Sequence, residues 1–160
     1  MNITVSKSYL KVFYLSLLTL TISCKKDMKT QNENTLLQEW QGPYGGVPAF
    51  DKMNISDIQS AVETGMELNL AEIETIANST EPATFENTIA AMERSGAELD
   101  RVFSYYGIMS SNMSSPEFRE VQGVLAPKLS EFSSKINQNK ALFNRIKTVY
   151  DASMTTPLDA

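Results

Sequence analysis

The clearest indication of the fold is a stretch that reads SDIQSAVETGMELNLAEIETIAN over residues 56–78. Its large apolar side chains recur every three or four residues, which is the repeat of one face of an α-helix. They are Ile58, Val62, Met66, Leu70, Ile73 and Ile76. Ser56 is the predicted N-cap, and Asp57 in the first turn suits the positive end of the helix dipole. The helix is expected to end where Asn78 to Pro82 breaks the pattern.

A second apolar stripe follows, with Thr84 as its predicted N-cap. Its members are Phe85, Ile89, Met92, Gly96, Leu99, Phe103, Tyr106 and Met113. Gly96 lies inside this stripe, although glycine costs about 1 kcal/mol relative to alanine in a helix interior. Either a neighbouring helix approaches closely at Gly96, or the helix breaks there. Tyr106 is in phase with the stripe and is predicted to lie in the core, whereas Tyr105 is predicted to be interfacial.

Two further helices complete the pattern. The third is predicted to start at Ser115-Pro116, because proline at the first helical position gives up only an unpartnered N–H. Its apolar stripe is Phe118, Val121, Leu125, Leu129, Phe132 and Ile136, and Pro127 should kink it. The fourth carries Leu142, Phe143, Ile146, Val149 and Tyr150. Strand-like alternation is not sustained anywhere, so the predicted fold is all-α, an antiparallel helical layer joined by short loops.

The N-terminal residues predict export and lipid attachment. Val12 to Ile22 is an apolar or small run of eleven residues, preceded by lysines, which is too short for the about 20 residues of a membrane span. Cys24 is the only cysteine and directly follows this run, as in a bacterial lipoprotein signal. We therefore expect residues 1–23 to be a signal peptide, cleavage between Ser23 and Cys24, and a lipid on Cys24. An ordinary signal peptide with an incidental cysteine is the alternative.

Between this signal and the helices, the sequence predicts a flexible tether and then a packed loop. Residues 24–35 are polar, lack aromatic side chains and are expected to form the tether. Gln41 to Asp51 holds three glycines and two prolines, which excludes a regular element. The aromatic side chains in and next to this loop, Trp40, Tyr44 and Phe50, predict that it packs against the rest of the domain.

Composition excludes several kinds of site. The chain has no histidine, so it contains neither a histidine-based triad nor an H-E-x-x-H zinc motif. Its net charge is −5, and residues 31–160 are acidic, which argues against nucleic acid as a partner. Glu63 and Glu67 lie one helical turn apart, a spacing that can ligate a metal, but a solvated acidic face is the better interpretation without histidine. Met66, Met92, Met109 and Met113 could form a soft-metal or peptide-binding surface, but they are predicted to fill the core because Met66 and Met92 are in phase with the aliphatic residues. No catalytic, cofactor-binding or metal-binding residue is predicted in this chain.

Longer strings resemble the start of the peptidyl-dipeptidase Dcp branch of the thimet oligopeptidase family. They are LLQEWQGPYGGVPAFDKM at 36–53, PATFENTIAAMERSG at 82–96, APKL at 126–129 and INQNKALFNRI at 136–146. Several strings match in order and with similar spacing, over roughly residues 36–150. This is more specific than any short motif.

The resemblance implies a longer, nearly all-helical zinc metallopeptidase that removes dipeptides from the C-terminus of short peptides. In that family the two histidines of H-E-x-x-H and a distal glutamate hold Zn²⁺, and none of these residues is present here. Residues 36–160 would supply the N-terminal helical region, part of a channel wall. This chain is therefore expected to be an inactive fragment of a lipid-anchored, membrane-associated enzyme of the bacterial cell envelope.

A self-contained α-helical lipoprotein module, acting in binding or structure, is the alternative to this fragment interpretation. The two differ in their expected surfaces. A fragment should expose apolar side chains meant for a missing partner, and the candidates are Trp40, Tyr44, Phe50 and part of the stripe from Phe85 to Tyr106.

Overall fold

Four long helices form the body of the protein. They are α1 Ile55–Ala77, α2 Ala97–Ser111, α3 Pro116–Asn137 and α4 Lys140–Ser153. The structure is a computed structural model that describes residues 34–43 and 45–155. These residues fall within one compact unit, 31–160. The predicted signal peptide, Ser23, Cys24 and Tyr44 lie outside the described residues.

Shorter elements connect the long helices. A 3₁₀ turn at Thr35–Leu37 precedes the loop, and a second one at Phe50–Lys52 ends it. The π-helical segment Phe85–Ala90 continues directly as the α-helical turn Ala91–Glu93, and the two together are called the short helix. Among the described residues the only extended pairing is an isolated bridge between Gln41 and Val47. The predicted all-α class is therefore confirmed.

α1 is the central helix and packs against α2, α3 and α4. The main core lies around its N-terminal half. Its buried members are Leu36, Leu37, Ile58, Ala61, Val62, Met66, Leu99, Val102, Tyr105, Met109, Phe118 and Leu125. A smaller core at the other end of α1 is formed by Ile73, Ala77 and Leu142. The prediction that methionines fill the core is confirmed for Met66 and Met109, which are buried, and for Met92, which packs against the smaller core. It is wrong for Met113, which is exposed at the end of α2.

Helix starts agree with the sequence at two positions and differ at a third. Ser115 caps α3 by accepting a hydrogen bond from the Phe118 N–H, and Thr84 caps the short helix through a reciprocal contact with Asn87. The prediction of Ser56 as N-cap is wrong. Asn54 holds that position with extended backbone dihedrals, so α1 begins at Ile55 and Ser56 lies in its first turn.

Gly96 ends the short helix and precedes α2, so the second predicted stripe is divided. Its φ of +83° lies in the left-handed region, where glycine pays no steric penalty. A Cβ at this position would lie 2.9 Å from Asn69 Nδ2 on α1, so the close approach and the break both occur. The Gly96 N–H donates to Glu72 Oε2 at 2.7 Å, which satisfies a donor at the start of α2.

The break changes which face of α2 is buried. Leu99, Val102, Tyr105 and Met109 face the core. The assignment of the two tyrosines was therefore wrong: Tyr105 is fully buried and Tyr106 only partly. Met113, at the end of the predicted stripe, is exposed.

Gly96→Ala should destabilise the protein by about 1–2 kcal/mol, the cost of a left-handed conformation for a residue with a Cβ. Gly107→Ala is the matched control, since Gly107 lies inside α2 and an added Cβ meets nothing within 4 Å. That control should stabilise the helix by up to about 1 kcal/mol. Urea unfolding of both variants measures the difference. Equal effects at the two positions would contradict the conformational role of Gly96.

α3 and α4 lie where the sequence predicts the third and fourth helices. α3 runs through Pro127 to Asn137, and the kink at Pro127 stays a prediction. The predicted fourth helix is confirmed as α4, and its apolar side chains differ in exposure. Leu142 and Val149 are buried, whereas Phe143 and Tyr150 point to solvent. No helix among the described residues has both the length and the hydropathy needed to cross a membrane.

Candidate functional site

A groove between α1 and α3 brings together the acidic residues that the sequence singled out. Its floor is apolar, formed by Met66, Leu70 and Phe132. Its rims are charged, and Glu63, Glu67, Lys128, Glu131 and Lys135 line them. The groove encloses about 200 Å³.

Two ion pairs join four of the charged side chains that line this groove. Lys128 Nζ on α3 lies 2.5 Å from Glu63 Oε1 on α1, and Lys135 Nζ lies 2.8 Å from Glu131 Oε1. Within residues 34–43 and 45–155, no three acidic, cysteine or histidine side chains come together in a way that could hold a metal ion. Glu63 is thus engaged by a lysine, as expected of a charged helix face.

The hydrogen bond from Lys128, with a second from Gln59, holds the pKa of Glu63 below its ordinary value of 4.5. A carboxylate whose pKa is lowered by folding stabilises the fold above its unfolded-state pKa. That contribution is lost as the pH falls through the folded-state pKa.

Lys128→Met should remove this pH-dependent contribution, which is under about 1 kcal/mol because both side chains are partly exposed. The variant should be less stable than wild type at pH 7 and equally stable at a pH below the folded-state pKa of Glu63. Urea midpoints measured across that range test this. Lys140→Met removes an exposed lysine outside the groove and serves as the control. A constant difference at every pH would contradict the proposed origin.

A second cavity lies beneath the loop that joins the two 3₁₀ turns. The Ala49 N–H donates to the Tyr105 hydroxyl at 2.9 Å, and the Phe50 ring meets the Tyr105 ring edge-on at 5.2 Å. These contacts confirm that Phe50 packs on the domain, although it stays partly exposed. The cavity encloses about 280 Å³. Trp40 Nε1 beside it is buried and has no acceptor among the described residues.

Arg145 forms the most extensive polar cluster in the described structure, and sequence reasoning missed it. Its guanidinium is almost fully buried and donates to the carbonyl oxygens of Ser79 and Glu81 at 3.0 and 2.9 Å. It also donates to Asn87 Oδ1 at 2.9 Å and Thr88 Oγ1 at 3.3 Å. Arg145 therefore ties α4 to the short helix and to the loop that follows α1.

One signal in the sequence could have identified Arg145. It lies three residues after Leu142 and four before Val149, both buried, and so occupies a core register position of α4. A charged residue is rarely buried without partners. This register position could have signalled a buried polar cluster, but the partners of Arg145 are 57 to 66 residues away in sequence.

The chain is similar in sequence to known peptidases. No protein-family model matches it. The dipeptidyl carboxypeptidase of Salmonella typhimurium is 32% identical over 126 residues, which are 79% of this chain and 18% of that protein. The corresponding enzyme of Escherichia coli is 31% identical over 113 residues, or 71% and 17%. The oligopeptidase A of Salmonella typhimurium is 27% identical over 105 residues, or 66% and 15%.

The chain is homologous to the dipeptidyl carboxypeptidases and oligopeptidases A of the thimet oligopeptidase family. The predicted resemblance is confirmed. The chain spans less than a fifth of the length of these curated relatives.

The strings that carried the resemblance to the thimet oligopeptidase family meet in three dimensions. Arg145, from the string at 136–146, binds Asn87 and Thr88, from the string at 82–96. Lys128, from the string at 126–129, pairs with Glu63 on α1. These polar contacts hold the helices in place.

Proposed function

We propose that this chain supplies the N-terminal helical part of a metallopeptidase that removes C-terminal dipeptides from short peptides. The observation that carries the proposal is the 32% identity over 126 residues with a dipeptidyl carboxypeptidase. The identity with the oligopeptidase A of the same organism is lower, 27% over a shorter length. This difference favours dipeptide release over internal cleavage as the activity of the whole enzyme.

In this proposal the chain forms part of the wall of the substrate channel. The tight packing of α1 against α2, α3 and α4 suits a rigid wall. The zinc ion that the family implies does not fit the residues present. The chain has no histidine, and the described residues include no cluster of ligating side chains. We therefore place the zinc ligands and the catalytic glutamate in polypeptide outside this sequence.

The proposal predicts that the isolated chain is inactive. A purified protein comprising residues 24–160 should neither bind zinc stoichiometrically nor release dipeptides from short peptides. Chelator-sensitive cleavage by a clean preparation would overturn this expectation. The DNA downstream of the Ala160 codon provides the second test. H-E-x-x-H codons within a few hundred codons, in any frame, support the enzyme, whereas a stop followed by unrelated sequence counts against it.

We further propose that the protein is exported and held at the membrane of the cell envelope by a lipid on Cys24. The apolar run before this single cysteine supports the assignment. Cells labelled with a clickable fatty acid should mark the product, and Cys24→Ser should abolish the mark. Labelling that persists in the variant would exclude Cys24 as the attachment site.

A self-contained α-helical lipoprotein module is the second candidate function. The completeness of the main core favours it, since Ile58, Val62, Val102, Phe118 and Leu125 are fully buried among the described residues. A module should be monomeric, unfold sharply and bind little hydrophobic dye. The enzyme-part proposal expects dye binding or self-association through exposed apolar side chains.

A further inference from the structure

The cavity beneath the loop that joins the two 3₁₀ turns has aromatic side chains in its wall. Trp40 and Tyr105 both line it, and it encloses about 280 Å³. Cavities for drug-sized ligands enclose about 300–1,000 Å³, whereas one water molecule takes about 30 Å³. The cavity is therefore large enough for a ligand of the size of an amino acid or a dipeptide.

Charged side chains of both signs surround this cavity. Glu39 lies next to Trp40 in sequence, and Asp51 and Lys52 belong to the 3₁₀ turn that ends the loop. All three are exposed, and no ion pair among the described residues includes any of them. The groove between α1 and α3 differs, since four of its charged side chains pair with one another.

Two hydrogen-bond donors at the cavity also lack an acceptor within the described structure. Trp40 Nε1 is buried without one. The Tyr105 hydroxyl accepts a hydrogen bond from the Ala49 N–H, but no described residue accepts its own proton. A buried donor without an acceptor is unfavourable, so a ligand that supplies acceptor oxygens would be stabilised here.

These groups match the two ends of a zwitterion. A carboxylate only accepts hydrogen bonds, whereas an ammonium group only donates them. Lys52 and the two donors without acceptors suit a carboxylate, and Glu39 and Asp51 suit an ammonium group, because hydrogen bonds between charged partners are the strong ones.

We propose that this cavity binds a small zwitterion, either a free amino acid or an unblocked dipeptide. Its carboxylate lies at Lys52, and its ammonium group lies at Glu39 and Asp51. Binding of this kind needs no catalytic residue, so it goes beyond the proposed function and does not depend on it.

The test is a titration of the full chain. Trp40 is the only tryptophan in the sequence, so its fluorescence reports on the cavity. The ligands are alanyl-alanine, N-acetyl-alanyl-alanine, alanyl-alanine amide and free alanine. Calorimetry of the same mixtures detects binding that leaves the fluorescence unchanged, and circular dichroism checks that each variant folds.

Alanyl-alanine should bind saturably, and each blocked peptide should bind roughly tenfold or more weakly, as expected for the loss of a hydrogen bond between charged groups. Lys52→Met should weaken the binding of alanyl-alanine by a similar factor but not that of the amide, which has no carboxylate. Glu39→Gln combined with Asp51→Asn should weaken alanyl-alanine but not the acetylated peptide. Lys140→Met removes an exposed lysine of α4 and should bind like wild type.

Free alanine separates the two ligand classes. Equal affinity for alanine and alanyl-alanine identifies an amino acid as the ligand, whereas much weaker binding of alanine identifies a dipeptide. The inference is wrong if neither compound binds, if blocked and unblocked peptides bind equally, or if Lys140→Met loses as much affinity as Lys52→Met. Since no arm of the titration measures peptidase activity, a negative result leaves the proposed function standing.

Discussion

Arg145→Met is expected to lower the free energy of unfolding by about 3 kcal/mol or more. The substitution removes four hydrogen bonds from a charged group that is only 8% exposed. Hydrogen bonds to charged groups contribute about 1.5–3 kcal/mol each, and acceptors left unsatisfied in a buried site add a further cost. Part of the loss is offset because methionine needs no desolvation of charge.

Urea unfolding measures the effect of Arg145→Met, and hydrogen exchange locates it. Exchange should accelerate first in the short helix, because Asn87 and Thr88 lose their contact with α4. Arg94→Met is the control, since Arg94 is exposed and makes an exposed ion pair with Glu86. That change should cost less than about 1 kcal/mol. Arg145→Lys should fall between the two, because an ammonium has fewer donors than a guanidinium. Similar losses for Arg145→Met and Arg94→Met would refute the structural role of Arg145.

Phe118→Ala is expected to cost about 3–5 kcal/mol, the range for truncating a buried phenylalanine. Phe118 is completely buried in the main core, and its ring meets that of Tyr106 edge-on at 5.2 Å. Alanine would leave a cavity that the helices on either side fill only in part.

Thermal and urea unfolding of Phe118→Ala and Phe143→Ala provide a matched comparison. Both remove a phenyl ring from a helix, but Phe143 is mostly exposed. The Phe143 variant should change the stability of the isolated chain by less than about 0.5 kcal/mol. If the two variants lost equal stability, the assignment of Phe143 to the solvent face would be wrong.

Features set by local sequence were predicted well. The period of apolar residues located α1 and α3, and the Ser115-Pro116 pair marked the start of α3. Thr84 as N-cap of the short helix was also correct. Periodicity, capping and proline placement act within a few residues, so the sequence alone displays them.

Features that depend on contacts between distant residues were predicted less well. The stripe pattern placed Tyr106 in the core in place of Tyr105, because the left-handed conformation of Gly96 resets the register of α2. The apolar residues that marked the fourth helix did not show that Leu142 is buried and that Phe143 and Tyr150 are exposed. The position of α1 determines which side of α4 is covered, and helical period does not contain that information.

The candidate site also combines features that local sequence displays with contacts that only tertiary packing creates. The sequence identified Glu63 as part of a charged face, but only the packing of α3 beside α1 brings Lys128 to it, 65 residues along the chain. The partners of Arg145 are similarly remote. Such contacts arise when helices pack, since hydrogen bonds between distant residues depend on the arrangement of the whole domain.

The sequence by itself determined the all-α class, two of the helix starts, the absence of a histidine-based site and the relationship to the thimet oligopeptidase family. The tertiary structure decided the burial of Tyr105, the break at Gly96, the Arg145 cluster and the exposure of Phe143 and Tyr150. The physical reason is the separation along the sequence over which each kind of interaction acts. Helix formation depends on neighbours three or four residues apart, whereas burial depends on which helices pack together.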